Sequence, residues 1–323
     1  MIPVAELATI LTHPRTGAPL RYKGDHFAAE SSPERYPVVD GRMVDLAGAV
    51  EGRSVTSEAA RPRTPSAVER LNRWYNENLE QAISNSIFAG GGVGFYAMRS
   101  TIRRWLRSTA PTGIVLEAGC GDMRWGRELP AGCRYLPIDY LPAAEGNPWR
   151  ERRPLINADI ARLPLADASV DHALNIYVLE HVPSPEAVVR ELARVLKPGG
   201  YLYLAGPGDL SMSHGEPHIY YNITRFAYAK MFRDCGLTLA QEAYPYKTWT
   251  TFLLLLYQKL VRTDVYNRHP LLKLLQAVVL VVSVPLCPLF NLIALLLDAV
   301  VPFDRRGYAI YMALVRKDGA ATP

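Results

Sequence analysis

Two apolar runs near the middle of the chain end in acidic residues, and glycines follow the first of them. In the segment IVLEAGCGDMRWG, Glu117 closes the first run and is followed by Gly119 and Gly121. Glycine lets the backbone pass close beneath a ligand, and the start of a following helix offers unpaired N–H groups. The pattern predicts a ligand-binding turn that enters a helix, although glycine-rich turns between a strand and a helix also serve packing alone.

The second run ends at Asp139 in YLPIDYLP, 22 positions after Glu117. An acid at this place can accept both hydroxyl groups of a ribose. Further on, NADIARLPL puts Asp159 and Ile160 after a third run, where a carboxylate could accept from an adenine amino group while the isoleucine packs on the ring. These residues predict a site for an adenosine-containing ligand, with helix capping as the alternative role of Asp159.

Composition limits the class of protein. The chain has 323 residues, 49% of them hydrophobic, which is enough for one large domain or two. A net charge of +5 is too small to indicate nucleic acid, and we expect no DNA partner. The four cysteines form no CxxC pair, which is typical of a reducing cytoplasm, and the N-terminus shows no signal peptide pattern.

Strands that alternate with helices must position the acidic residues. After Pro111, the runs GIVLEAGC, CRYLPIDY, PLINADI and VDHALNIYV precede the helical pattern SPEAVVRELARVL and the run GYLYLAGP. This alternation predicts an α/β fold with a doubly wound, mostly parallel sheet. A helical pattern, TRFAYAKMFRDCG, then leads to two further strand candidates, LTLAQEAYPY and YAIYMALVRK, with an apolar block between them.

The motifs together resemble the class I S-adenosylmethionine-dependent methyltransferases, especially the small-molecule branch that includes the quinone-biosynthesis enzymes. The resemblance is carried by LEAGCG, by IDY, by the phrase that runs from ADIARLPL through SVDHALNIYVLEHV to LKPGGYLYLAGP, and by PHIYYNITRFAYAKMFRDCGL. It covers residues 112 to 248 and the last strand. It implies a Rossmann-like sheet of seven strands, S-adenosylmethionine as the cofactor, and methyl transfer as the reaction.

The resemblance also implies a role for each matching residue. Glu117, Gly119 and Gly121 would hold the methionine part of the cofactor. Asp139 would hold the ribose, and Asp159 and Ile160 would frame the adenine ring. Cys120, Tyr140 and Asn175, within or beside the same motifs, complete the expected cofactor-binding set. A nicotinamide cofactor is the rival for such a fold, but its GxGxxG fingerprint is absent because position 124 is arginine. Met123 stands where many relatives carry a third glycine.

Histidines are the candidates for a general base. Methyl transfer from a sulfonium is an in-line displacement, so the protein mainly aligns the acceptor and excludes water, and only an unactivated hydroxyl needs a base. We expect Glu180 and His181 to line the cleft, and we predict His218 and His181 as catalytic residues, with His214 as a weaker candidate. Relatives often have an acid directly after the histidine, where this chain has Ile219, so a loop or capping role for His218 stays open.

The first 48 residues carry a second resemblance, to the short zinc-ribbon domain that activates some tRNA methyltransferases. Where that domain has CPxC, this chain has His13 to Thr16, so we expect a degenerate ribbon without metal and with a packing or partner role. Residues 49–66 are predicted to be a linker. Residues 67–110 are predicted to form a helical lid that includes Trp74, Tyr75 and Asn76, with a buried core stripe as the alternative.

The apolar block lies in residues 249–302, between the last two predicted strands. It contains 21 consecutive residues without a charge, Ala277 to Leu297, which is long enough to cross a bilayer. A single crossing would separate two strands that are expected to pair. Because Pro285 and Pro288 interrupt the block, we expect two short helices, 271–284 and 289–301, folded as a hairpin on one leaflet of a membrane. A helical cap buried against the enzyme or a second subunit is the alternative.

The sequence therefore predicts a cytoplasmic, membrane-peripheral methyltransferase, with its catalytic domain in residues 111–248 and 303–318. The expected acceptor is a small or lipid-linked molecule, methylated on oxygen. A binding or scaffold protein of the same fold, and a methyltransferase acting on protein or tRNA, are the alternatives, and an oligomer is possible.

Overall fold

The computed structural model describes residues 1–46, 92–140, 155–210, 221–261, 270–303 and 305–319. The predicted linker, the predicted lid residues Trp74, Tyr75 and Asn76, and the histidines His214 and His218 lie outside these ranges.

A single mixed sheet organises the described residues. Its eleven strands are, in chain order, β1 Arg21–Tyr22, β2 His26–Ala28, β3 Arg35–Val39, β4 Met43–Asp45, β5 Ile114–Ala118, β6 Arg134–Asp139, β7 Ile156–Asn157, β8 Val170–Ile176, β9 Leu196–Pro207, β10 Leu237–Ala243 and β11 Ile310–Lys317. Their spatial order is β1-β2-β3-β4-β7-β6-β5-β8-β9-β11-β10. The fold is α/β with a Rossmann-like sheet, as the sequence predicts.

The centre of the sheet reverses its strand order at β5. Strands β6 and β8 flank β5 on its two sides, and both pair with it in parallel. In such sheets, ligands bind outside the carboxyl ends of the strands where the order reverses. At the far edge, β11 runs antiparallel between β9 and β10, so the predicted pairing of the last two strands is confirmed.

The N-terminal block extends this sheet. Strand β4 pairs in parallel with β7, and Asn157 Nδ2 donates to Asp45 Oδ1 across the junction at 3.0 Å. Side chains of the block, such as Phe27 and Leu20, belong to the same apolar cluster as Leu116 of β5. Seven strands, β5 to β11, come from the predicted catalytic domain, and four N-terminal strands add to them in the same sheet. The domain boundary at residue 48 stays a prediction.

Five α-helices are present in the described residues: α1 Val93–Thr109, α2 Pro185–Val195, α3 Arg225–Asp234, α4 Thr248–Val261 and α5 Pro270–Val300. Helix α2 begins where Ser184 accepts from Ala187 N, with proline in the first turn. Alternate residues of β5 divide between two apolar clusters, Leu116 with Leu192 of α2, and Val115 with Trp105 of α1. Helices thus cover both faces of the sheet.

The segment after β5 differs from the expectation of a full helix at the glycine turn. Only four residues, Trp125–Glu128, turn helically there, as a 3-10 helix. Leu129 is extended, at φ −70° and ψ 141°, because it precedes Pro130 and a proline disfavours helical backbone in the residue before it. The ligand-facing N–H groups at this edge must come from the turn itself.

Helix α5 is continuous over 31 residues and contains Pro285 and Pro288. The predicted break at these prolines is therefore wrong. Each proline removes one backbone hydrogen bond, and the leucine-rich flanks favour helix on both sides. Helix α5 packs against α4 instead of folding back on itself. In the described part of the chain, no helix combines the length and the apolarity needed to cross a membrane.

Candidate functional site

The glycine turn after β5 is fixed by the ends of two neighbouring strands. Gly119 N and Cys120 N donate to Ile138 O of β6, at 2.8 and 3.1 Å. Gly119 has φ +78°, and a Cβ there would lie 2.4 Å from Val178 Cγ2, beyond the end of β8. Glycine is thus required at this position both by its backbone conformation and by the close approach of the loop after β8.

Asp139 ends β6 beside this turn. Its Oδ2 accepts from Gly121 N at 2.6 Å, and its Oδ1 accepts from Tyr140 N at 2.7 Å. Burial raises the pKa of Asp139 above its usual value, and the two backbone hydrogen bonds oppose that shift. Each carboxylate oxygen has a second lone pair, so the group is oriented by the backbone and can still accept hydroxyl donors.

Glu117 is the buried acid of the turn, with an exposed fraction of 2%. Its Oε2 accepts from the hydroxyl of Tyr135 on β6. Burial, helped by the nearby charges of Asp122 and Asp139, raises the pKa of Glu117 to about 8. A cation placed against Glu117 would stabilise its ionised form, which makes the residue a selective partner for an ammonium group. The sequence pattern does not single out Tyr135, although it lies on the same face of the paired strands as Glu117.

Asn175 joins β8 to the end of β5. Its side chain is fully buried, and its Nδ2 donates to Ala118 O at 3.0 Å. Its Oδ1 has no hydrogen-bond partner among the described residues. A buried amide oxygen of this kind is available to a donor on a ligand.

Asp159 and Ile160 follow β7, next to β6. Asp159 Oδ1 accepts from Ala161 N at 2.9 Å and so caps a short 3-10 helix. Ile160 is largely buried in the apolar core. The capping role that was the alternative for Asp159 is therefore present, and contact of these two residues with an adenine ring stays a prediction.

Glu180 and His181 follow β8 on the other side of β5. Glu180 is fully buried, and burial raises its pKa to about 7. His181 is about one third exposed, with its Nε2 3.9 Å from Glu180 Oε1. A Cβ at Gly206 of β9 would lie 2.4 Å from the Tyr228 hydroxyl and 4.0 Å from Glu180 Oε2, so these groups converge. His181 is thus the predicted catalytic residue that the described structure brings to this edge.

Met123 and Cys120 complete the turn. Met123 has φ +56°, a left-handed conformation that an ordinary side chain rarely adopts. Glycine would adopt this backbone conformation without steric cost. Cys120 is buried, and burial raises the pKa of its thiol well above the usual range.

A cavity of about 410 Å³ lies next to the turn and is lined by Met123, Gly126 and Tyr135, among others. Its lining contains none of Asp139, Asn175 and Glu180, so it is not the cleft at the carboxyl ends of the strands.

His13, at the position where the zinc-ribbon domain has a cysteine, is held by hydrogen bonds. Its buried Nδ1 accepts from Arg15 N and Thr16 N, both at 3.2 Å, and its Nε2 lies 2.9 Å from Glu34 Oε2. Within the ranges that the structure describes, no group of three or more His, Cys, Asp or Glu side chains could hold a metal ion.

Comparison with known proteins finds matches for the central segment. Residues 116–204 match the family model described as "Methyltransferase domain". The chain is 40% identical over 107 residues to a protein of Mycobacterium tuberculosis named "Probable S-adenosylmethionine-dependent methyltransferase", a match that covers 32% of this chain and 38% of that protein. It is 35% identical over 133 residues to a thiol S-methyltransferase of Homo sapiens, over 38% of this chain and 54% of that protein.

The chain thus spans less than half the length of the bacterial relative. Among solved structures, the 1,6-didemethyltoxoflavin-N1-methyltransferase of Burkholderia thailandensis, with S-adenosylhomocysteine bound, covers 80% of this chain and 93% of its own, at 13% identity and a TM-score of 0.39. That likeness is too weak to support a conclusion. The match of residues 116–204 to a methyltransferase domain agrees with the predicted methyltransferase class, and the bacterial relative is named for the predicted cofactor. The quinone-biosynthesis branch is not confirmed.

Proposed function

We propose that this chain, whose residues 116–204 match a methyltransferase domain, is a class I S-adenosylmethionine-dependent methyltransferase that transfers a methyl group to a small or lipid-linked acceptor. The observation that carries the proposal is Asp139, oriented by Gly121 N and Tyr140 N next to the buried Glu117. In it, Asp139 holds the ribose hydroxyls and Glu117 holds the amino group of the cofactor.

The sulfonium of the bound cofactor supplies an electrophilic methyl group. The residues of the chain bind, orient and exclude water. Gly119 and Gly121 let the backbone approach the cofactor, and the free Oδ1 of Asn175 accepts from one of its donors. His181, beside Glu180, is the described residue that could take a proton from an acceptor hydroxyl.

Oxygen is the acceptor atom that we propose first. The human relative is named a thiol S-methyltransferase, so a thiol acceptor belongs in the same assay. A thiolate is already a strong nucleophile near neutral pH, so it would need no base. Methylation that persists in His181→Ala with a thiol, and fails with a hydroxyl, would separate the two acceptor classes.

Titration calorimetry with S-adenosylmethionine tests the proposal. We expect Asp139→Ala to weaken binding by about tenfold to a hundredfold, because two charge-assisted hydrogen bonds to the ribose are lost. Asp234→Ala, which removes an exposed carboxylate on α3, serves as the matched control and should bind like the wild type. Equal affinity of Asp139→Ala and wild type would contradict the site.

The two other predicted functions make different demands on the same assay. A scaffold protein of this fold would show no turnover with any acceptor. A methyltransferase that acts on protein or tRNA would turn over only with a macromolecular acceptor, and assays with the full chain distinguish these outcomes.

A further inference from the structure

Helix α5 exposes apolar side chains over most of its length. Val281 is 74% exposed, Leu289 53%, Leu296 58% and Val300 81%. From Leu274 to Val300, every side chain that the structure describes as exposed is apolar. The helix is 31 residues long, about 45 Å at 1.5 Å per residue, so the exposed surface is far larger than the isolated leucines of an ordinary protein surface.

The buried polar side chains of α5 lie on the side of the helix that Asp298 turns toward α4. Asp298 is buried, and it accepts from Trp249 N at 2.8 Å, from Thr250 N at 3.1 Å and from Thr250 Oγ1 at 2.7 Å. Asn291 is also buried, with an exposed fraction of 2%. A helix on a water-facing surface has the opposite arrangement, with its apolar stripe inward and its polar side chains outward.

The width of the apolar surface distinguishes between possible partners. Buried positions 287, 291, 294 and 298 recur at three- and four-residue intervals and form one narrow stripe. Among the side chains that the structure describes, the exposed apolar positions take up most of the remaining circumference. A second helix or a second copy of the chain would cover one stripe about 100° wide. A fluid hydrocarbon phase can contact all of the exposed sides at once.

Basic residues lie at both ends of the helix pair. The contact between Thr250 and Asp298 places the start of α4 beside the end of α5. Exposed Lys247 and Arg306 adjoin that end, and so does Arg305, which pairs with Glu242 at 2.6 Å. Exposed Lys259 lies near the other end of α4. Asp298, the acid within α5, is buried and hydrogen-bonded. This distribution of charge complements an anionic surface beside an apolar phase.

We propose that α4 and α5 dock on an anionic lipid surface, with the exposed side of α5 buried among the acyl chains along the plane of the membrane. The docking does not depend on the methyltransferase activity. It gives the catalytic domain a fixed position at the surface from which a lipid-linked acceptor could be reached.

Vesicle flotation of the full chain tests the proposal, with vesicles of equal parts phosphatidylcholine and phosphatidylglycerol. The test variant combines Val281→Glu and Leu296→Glu on the exposed side of α5. The matched control is Phe226→Glu, on α3, where an equally exposed aromatic residue is replaced. Binding of S-adenosylmethionine, measured by calorimetry on each protein, shows whether the fold and the cofactor site are intact.

We expect the wild type and Phe226→Glu to float with the vesicles, and the double variant to lose at least about tenfold in its vesicle-bound fraction, because charges would enter the acyl region. A wild-type chain that does not float overturns the proposal. So does a double variant that floats like the wild type, or a Phe226→Glu control that fails equally. If none floats and only the double variant changes from dimer to monomer on gel filtration, the occupant is a second copy and the proposal is wrong. Flotation without cofactor binding would count against the proposed enzyme and leave the docking standing.

Discussion

The carboxyl edge of the sheet and the α4–α5 helix pair distribute apolar and acidic side chains in opposite ways. Leu116 in β5 is completely buried, and the acidic residues Glu117 and Asp139 lie at the strand ends beside the glycine turn. In the helix pair, Asp298 is inside and Val281 is outside. The first arrangement is the one that water imposes on a folded chain. The second shows that the outer side of α5 is not adapted to water.

The largest effect that we expect comes from the glycine turn. Gly119→Ala should lower the free energy of unfolding by about 2–4 kcal/mol, because the new Cβ would overlap Val178 and the backbone is left-handed. Gly17→Ala has a similar φ of +71° with nothing within 4 Å, so it should cost only about 1 kcal/mol. Chemical denaturation measures both. Equal costs would show that the close approach of the loop after β8 contributes nothing.

Asp298→Ala should destabilise the helix pair by about 2–3 kcal/mol, because three donors at the start of α4 lose their buried acceptor. Asp167→Ala, which removes a 79% exposed carboxylate from its ion pair with Arg194, should cost less than about 1 kcal/mol. Thermal unfolding in detergent compares the two. An Asp298→Ala protein as stable as the wild type would mean that the inward polar side does not hold the pair together.

Glu117 should make cofactor binding depend on pH. Its pKa is raised to about 8 by burial, and the amino group of the cofactor favours its ionised form. Affinity should therefore rise as the pH approaches this value from below, as long as the amino group of the cofactor stays protonated. Glu117→Gln should weaken binding and flatten the dependence, as calorimetry across this range would show. An unchanged slope in the variant would assign the titration to another group.

The same group affects stability with the opposite sign. Between the ordinary pKa of 4.5 and the raised value, the folded state binds more protons at Glu117 than the unfolded chain does. This residue therefore makes the unfolding free energy fall as pH rises through that window, and Glu117→Gln should remove its contribution.

The smallest effect belongs to Met123. Met123→Gly should stabilise the chain by about 0.5–1 kcal/mol, because glycine accepts the left-handed backbone at φ +56° without steric cost. Ala168→Gly, at φ +49° and away from the turn, should give a similar gain without any change in cofactor affinity. A loss of stability in Met123→Gly would show that the methionine side chain makes contacts that outweigh its backbone strain.

The sequence predicts local features of the sheet well. Short apolar runs that end in Glu117 and Asp139 specify β5, β6 and their polar edge, because each strand is bounded by its own turn residues. The sequence pattern did not specify the short helix after the glycine turn, since the decisive residue, Pro130, lies beyond the motif. Nor did it specify the unbroken α5, because prolines usually break a helix, whereas the leucine-rich flanks keep this helix continuous through both of them.

Non-local pairing accounts for the remaining difference. Asp45 meets Asn157 across 112 positions of sequence, and no local pattern marks the two strands as neighbours. His13 is a second example, because its Nε2 lies 2.9 Å from Glu34 Oε2, and no local pattern around His13 indicates that contact. The parts of the site that depend on one strand and its turn were predictable, and the parts that depend on distant partners were not.

The parallel pairing of β4 with β7 has a consequence for folding. During synthesis the first four strands are made long before β7. More than a hundred further residues must be added before β4 can pair with β7. Closing such a long loop is slow compared with forming a hairpin. If the residues that precede β5 were removed, β7 would become an exposed edge strand with unpaired backbone groups, and such an edge is a template for aggregation. The N-terminal block therefore covers the β7 edge of the sheet, and a chain without this block should be poorly soluble.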